Sequence, residues 1–278
     1  MGDRITLGDN LDAGPYVRAK GFDFGAGDAL SAPRVLSPAN VALLAAMNVP
    51  RVTVRRAPVV AILATGDELA QPGEDPGPDQ IIASNSYGLA AMLRTAGAIP
   101  RLLPIARDSV PSLVAAFGQA EGADLLVTIG GASVGDHDLV AKAAETLGLE
   151  RQFYKVAMRP GKPLMAGRLG EMVLVGLPGN PVSAMVCGEI FLRPMLDVML
   201  GFPARPRARL SGPLAHDIGP NGPREHYMRA RLEDGQLSIF GRQDSALLSV
   251  LSDANALVVR APTDPARAQG EMIEYLTI

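Results

Sequence analysis

One cysteine, three histidines and few aromatic residues stand in this 278-residue chain. Cys187 has no second cysteine to pair with, so an intrachain disulfide is excluded, and the scattered histidines give no ligand spacing for a structural zinc site. No run approaches the 18 apolar residues of a membrane span, and residues 1–10 lack a basic region followed by an apolar one. Cytoplasm is therefore the expected compartment. The formal charge is -3 and no Lys/Arg cluster is interleaved with aromatics, so neither nucleic acid nor membrane is an expected partner. A small molecule or a protein is left. What the chain does have is hydrophobic content, 47%, enough to bury a sizeable core.

Turn-forming Gly, Asp and Pro crowd residues 1–53, where one helix is expected at 38–47 with Ser37 as its N-cap. From about residue 57 the pattern changes to apolar runs of strand length alternating with amphipathic stretches, the signature of a parallel α/β sheet. Strands are expected at 59–64, 101–105, 125–129, 154–158 and 173–175. Leu89, Met92, Leu93 and Ala96 follow helical spacing after Ser84, with Gly97 as a stop. Ser109 is placed to cap a second helix and Asp138 to begin a third. Residues 182–200 are apolar nearly all round, which predicts a helix buried against several neighbours. Beyond Pro203 and Pro206, a hairpin at 225–240 turning at Glu233-Asp234-Gly235, with strands at 256–260 and 272–278, makes a small β domain.

Four glycine-rich polar segments each follow an expected strand: Thr65-Gly66-Asp67-Glu68-Leu69, GGASVGDHD (130–138), RPGKP (159–163) and LPGNP (177–181). In an open α/β sheet the loops at the strand carboxyl ends share one edge, and ligands bind there. Gly130, Gly131 and Gly135 let backbone approach a ligand, and free amides at a helix N-terminus suit an anion such as phosphate. Taken singly, each of these loops is also readable as a tight turn.

Asp136 and Asp138, two apart, have the hard oxygen donors a divalent cation takes, although Asp138 serves equally as a plain helix cap. Glu68 is either a solvated acid or, beside a phosphate, a partner for a metal or a proton. Lys162, pinned between Gly161 and Pro163, suits a fixed charge on phosphate, with Arg159 nearby. Pro178 and Pro181 stiffen a turn that Asn180 can cap. Met185, Met195 and Met199 read as core, Cys187 as an inert buried thiol and His137 as an exposed loop residue.

TGDEL, SNSYGLAAMLRTAGA, GGASVGDHD, KVAMRPGKP and GLPGNPVSA, with RAKGFDF and Gly27-Asp28 upstream, resemble the MoeA family, which includes the gephyrin E domain, in order and spacing. The resemblance implies a MogA/MoaB-like three-layer α/β molybdopterin-binding domain at 57–205, a small β-barrel-like domain at 206–278, and a residual N-terminal, linker and dimerisation segment at 1–56. The family's Met-Asp-Gly-Tyr-Ala segment has no counterpart, the match beginning near residue 17; most of one domain is expected to be absent.

It further implies a magnesium-dependent homodimer, with a possible adenylyltransferase partner, that inserts molybdate into adenylated molybdopterin and releases AMP. Asp23, Glu68, Asp108, Asp138 and Lys162 are then the expected catalytic groups, with magnesium on Glu68, Asp136 and Asp138. Asp23 is expected to complete the partner subunit's site. Thr65, Gly66, Ser84, Asn85, Gly130, Gly131, Ser133, Gly135, Arg159, Pro178, Asn180 and Pro181 are the expected pterin and phosphate contacts. Arg159 departs from the family's usual Lys, which changes contact geometry while keeping charge. Two alternatives stay open: a MogA-like molybdopterin adenylyltransferase, and a pterin-binding scaffold without turnover.

Overall fold

The structure, a computed structural model, describes residues 2–4, 6, 9, 14, 16–131 and 138–278. Ser133, Gly135, Asp136 and His137 thus lie outside the described residues. The chain divides into two compact units, Met1–Val54 and Arg55–Ile278. In the first, α1 (Pro38–Ala46) begins at a reciprocal cap: Asn40 N–H donates to Ser37 Oγ at 3.2 Å, and Ser37 N–H donates to Asn40 Oδ1 at 3.3 Å. Pro38 opens the helix, where its missing N–H has no cost. None of the residues of α1 is buried.

The second unit runs β1 (Val59–Ala64), the short pair β2 (Leu69–Ala70) and β3 (Ile81–Ile82), α2 (Asn85–Thr95), β4 (Ile99–Leu102), α3 (Val110–Gly118), β5 (Leu125–Ile129), α4 (Leu139–Thr146), β6 (Glu150–Tyr154), β7 (Met158–Arg159), β8 (Met165–Leu169), β9 (Met172–Leu177), α5 (Pro181–Cys187), a π turn at Gly188–Leu192, and α6 (Arg193–Met199). One sheet has the order β4-β1-β5-β9-β8-β6. The run β4-β1-β5-β9 is parallel, and its inner strands β1 and β5 are buried on both faces, which is why they read as apolar runs broken only by Thr128. Leu89, Leu93, Val182 and Val186 pack on one face with Val60, Ile62 and Val127, while Leu113, Phe117, Ala143 and Ala144 pack on the other with Leu63 and Leu126. Each fully buried leucine contributes about 1.5–3 kcal/mol.

The sheet is mixed rather than wholly parallel, because β8 and β9 form a hairpin and β6 pairs antiparallel with β8. The strand expected at 154–158 is interrupted: Lys155 takes φ 86, so β6 stops at Tyr154 and Met158–Arg159 leave to pair with another sheet. The strand expected at 101–105 sits earlier because Pro104 has no N–H to extend the ladder. The helix expected at 182–200 opens into a π turn, as Pro194 leaves the Ile190 carbonyl without its usual donor. Asp138 and Ser109 do cap: Ala141 N–H donates to Asp138 Oδ1 at 2.8 Å and Ser112 N–H to Ser109 Oγ at 3.4 Å. Ser84 makes no side-chain cap.

After the linker come β10 (Leu210–Pro213), β11 (Glu225–Glu233), β12 (Gln236–Ile239), α7 (Leu248–Asp253), β13 (Ala256–Arg260) and β14 (Met272–Thr277). Their sheet order is β10-β14-β13-β11-β12. Leu214, just past β10, bridges Leu237 of β12, bringing the two edges together as in a small barrel around Leu214, Leu237, Val258 and Tyr275. Asp234 (φ 49) and Gly235 (φ 76) make the expected β11–β12 turn. Among the described residues no helix is long and apolar enough to cross a membrane.

Candidate active site at the sheet edge

Parallel strands β1, β5 and β9 end side by side, so the loops that follow them meet. Thr65 N–H donates to the Ile129 carbonyl at 3.0 Å, Gly130 N–H to Leu177 at 3.1 Å, and Gly66 N–H to Ala106 at 3.2 Å. Asn85, at the start of α2, donates its amide to the Gly179 carbonyl at 2.7 Å and ties the α2 entrance to the LPGNP turn. The result is a cavity of about 510 Å³ whose lining includes Thr65, Glu68, Ser84, Asn85, Gly130 and the Pro178–Pro181 turn. Eight of the expected contacts are brought together here: Thr65, Glu68, Ser84, Asn85, Gly130, Pro178, Asn180 and Pro181. Gly66 lies between two of them at φ 150, and a side chain there would collide with the Glu68 carboxylate.

The other expected residues stand apart from that lining. Asp108 is exposed and donates its backbone N–H to Asp67 Oδ1 at 3.4 Å. Lys162 is exposed in its loop, which Pro163 brings to the cavity wall. Gly131 sits beside Thr65 Oγ1 and Val140. Arg159 belongs to β7 and lies opposite His226 of β11. Asp23 is exposed in the first unit.

Asp138 is buried at 4% exposure, with Oδ1 committed to the α4 cap and Oδ2 without a hydrogen-bond partner among the described residues. A buried carboxylate oxygen calls for a cation or a donor, and the Tyr154 hydroxyl is one donor within reach of this carboxylate. Tyr154 faces this carboxylate; burial and Asp138 together raise its pKa. Among the described residues no three Asp, Glu, His or Cys side chains cluster as a ready-made metal cage. Magnesium does not need one, since it usually takes one or two carboxylates and completes its shell with phosphate and water. The Asp138 oxygen fits that role.

Sequence reasoning missed the contribution of the small β domain. Asn180 does not cap α5; its amide donates to Ser245 Oγ at 3.0 Å, and Val182 N–H donates to the Ser245 carbonyl at 2.9 Å. Ser245 is itself placed by Arg229, a fully buried arginine whose Nη2 donates to the Asp244 carbonyl at 2.9 Å and whose backbone exchanges two hydrogen bonds with the Gln243 side chain. Burial lowers the pKa of Arg229. Cys187 is buried against the Gly161 carbonyl, and burial pushes its thiol up to about 12, so it is inert as a nucleophile.

Comparison with known proteins now decides the family. A model described as a probable molybdopterin binding domain matches residues 61–198, and one described as the MoeA C-terminal region (domain IV) matches 211–278. A molybdopterin molybdenumtransferase of Synechococcus elongatus is 31% identical over 284 residues, which cover 99% of this chain and 69% of the relative. The chain belongs to the MoeA family. Molybdopterin molybdenumtransferase 2 of Mycobacterium tuberculosis is 36% identical over 92% of this chain and 65% of its own length. The chain thus spans slightly less than two thirds of that MoeA relative. The solved structure of the molybdopterin biosynthesis moea protein from Pyrococcus horikosii superposes with a TM-score of 0.76 at 29% identity, over 86% of this chain and 59% of that one.

One consequence of the MoeA C-terminal domain is measurable without substrate. His226 is 6% exposed, and burial, then the charges of Arg159, Arg229, Arg260 and Arg224, lower its pKa to about 4. Unfolded, it titrates near about 6.5. The folded pKa is the lower one, so the stabilisation is present above pH 6.5 and is lost as pH falls towards 4, by about 3 kcal/mol in all. Urea midpoints measured between pH 7 and 4.5 should fall, and His226→Gln should flatten that dependence. An unaltered slope in the variant would assign the acid sensitivity to other groups.

Proposed function

We propose that this chain binds molybdopterin at the β1-β5-β9 edge and carries out the molybdate-insertion step of molybdenum cofactor biosynthesis, taking adenylated molybdopterin and molybdate and releasing AMP. The observation that carries the reading is the convergence of Thr65, Glu68, Ser84, Asn85, Gly130 and the Pro178–Pro181 turn on one cavity. The activity for which the relatives are named, molybdopterin molybdenumtransferase, supports it.

In this reading the pterin lies against Gly130 and the LPGNP turn, with Thr65, Ser84 and Asn85 as polar contacts. Ser133 and Gly135, outside the described residues, are proposed as further contacts. A water or molybdate oxygen attacks the adenylyl phosphorus as its bond to the pterin phosphate oxygen breaks, giving AMP and the pterin phosphate. The two dithiolene sulfurs replace two oxo groups of molybdate, which leave as water with the thiol protons and protons from solvent while molybdenum stays Mo(VI). Lys162 and Arg159 supply positive charge for the anionic groups, preorganised as electrostatic catalysis requires. Magnesium would be held by Glu68, Asp136 and Asp138, with the rest of its shell from phosphate and water, and would neutralise charge on the anhydride. Asp108 and Asp23 add acidic groups, Asp23 from the partner subunit of a homodimer. The setting is cytoplasmic, with an adenylyltransferase supplying the adenylated pterin.

The test is to supply the purified chain with molybdopterin, remove free ligand, and oxidise the bound fraction to its fluorescent form. Retention near one pterin per chain is expected. A folded chain that retains none contradicts the reading.

A further inference from the structure

The π turn that follows α5 carries a buried charge. Glu189 is 8% exposed; its carboxylate accepts from Arg193 Nη1 at 3.2 and 3.3 Å and lies 3.4 Å from Arg207 Nη2. Arg207 belongs to the linker before β10, and its Nη2 also donates to the Thr277 carbonyl of β14 at 2.9 Å. One guanidinium thus joins the far end of α5, the linker and the last strand of the β domain. Breaking such a pair leaves a charge without its partner in a buried setting, so the contact is strongly directional.

From Glu189 the helix runs back to the LPGNP turn, roughly 13 Å away at about 1.5 Å per residue. At that end Asn180 and Val182 are bonded to Ser245 of the β domain. Between the two ends the domains meet through apolar side chains, Tyr227, Leu257, Val259 and Leu276 sharing a core cluster with Val182 and Val186. Apolar contact is non-directional and does not by itself fix the angle between two surfaces. The polar contacts at the two ends of α5, with the short β7–β11 ladder, set that angle.

We propose that Arg207 is a positioning residue: paired with Glu189, it fixes the angle of the β domain and so holds Ser245 on the LPGNP turn at the cavity. The site role of that turn rests on the function proposed above; the mechanical role does not. Val182 N–H lies in the first turn of α5, where no intrahelical acceptor exists, so its protection from hydrogen exchange comes from the Ser245 carbonyl and reads the contact without any ligand.

The experiment compares wild type, Arg207→Met, Arg207→Lys and Glu189→Gln. In Arg207→Met, which keeps the stem and removes the charge, Val182 exchange should rise about tenfold more than that of Leu126 in β5, the scale of one hydrogen bond to a charged group. The molybdopterin concentration for half-saturation should rise about fivefold, the scale of one neutral hydrogen bond such as that of Asn180 with Ser245. Glu189→Gln should act in the same direction on both. Arg207→Lys should stay within about twofold of wild type, since it keeps the charge and has no counterpart of the buried Nε, which has no partner among the described residues. Val182 exchange unchanged in Arg207→Met and Glu189→Gln overturns the proposal. So does an equal rise for Val182 and Leu126, which is plain loss of stability, or faster Val182 exchange with unaltered pterin affinity. A wild-type chain that binds no pterin sinks the parent reading instead, and the exchange comparison then decides the mechanical role alone.

Discussion

Asp138→Asn is expected to leave the chain folded and to lower AMP release at least about 100-fold. An asparagine oxygen accepts the Ala141 N–H as well as the aspartate does, so the α4 cap survives and stability should change by less than about 1 kcal/mol. What is lost is the charge at Oδ2, the buried oxygen with no hydrogen-bond partner among the described residues. Changing groups that merely orient metal ligands typically costs about 10–100-fold, and a direct ligand sets at least the upper end. Asp138→Ala separates the two roles, because it removes cap and charge together and should also cost about 1 kcal/mol of stability. Urea midpoints and magnesium-dependent turnover for both variants decide the matter. Full turnover in Asp138→Asn would reduce the residue to a helix cap.

The second large effect is Gly130→Ala. Gly130 has φ 91, and a Cβ there would lie 2.7 Å from the Thr65 carbonyl oxygen and 3.2 Å from Thr65 Oγ1. The neighbour is backbone at the end of a core strand, so it cannot give way cheaply. The left-handed conformation costs about 1–2 kcal/mol and the overlap adds to it, for a total loss of about 2–4 kcal/mol, with pterin retention falling below detection as the Thr65 and Gly130 loops part. Gly122→Ala is the matched control: φ 77, but nothing within 4 Å of the added carbon, so it suffers the strain alone. Denaturant midpoints and pterin fluorescence on the two variants should differ clearly. Identical behaviour would mean that the close approach of the two loops has no role.

These two residues also mark how far the sequence could be read. Strand β1 and strand β5 were legible because both faces are buried and the apolar run is broken only by Thr128; α2 was legible because Leu89, Met92 and Leu93 keep helical spacing. Three strand-end loops on a shared edge, after β1, β5 and β9, follow from the alternation of strand and helix, so Thr65, Glu68, Gly130 and Asn180 are legible in the sequence alone; the fourth loop, 159–163, follows β7, which pairs with β11 in the other sheet instead. Strand β8 was not legible: its five residues alternate burial along a short antiparallel stretch and include Gly167 and Arg168. Nor was Ser245, which sits 65 residues from Asn180 in a loop without periodicity. Only the packing of the β domain on the α/β domain creates that contact, and no local pattern announces it. Asp138 was legible as a cap or as a ligand; the structure shows the cap at Oδ1, and the burial of Oδ2 that motivates the proposed ligand role is not a local pattern.

The most direct test of the proposed function follows AMP in a reaction of the purified chain with adenylated molybdopterin, magnesium and molybdate. The account predicts AMP release that depends on molybdate, is about stoichiometric with the pterin supplied, consumes no ATP, and disappears in Asp138→Asn. Adenylated pterin that binds and stays intact with molybdate present, or ATP consumed to adenylate free molybdopterin, would contradict it.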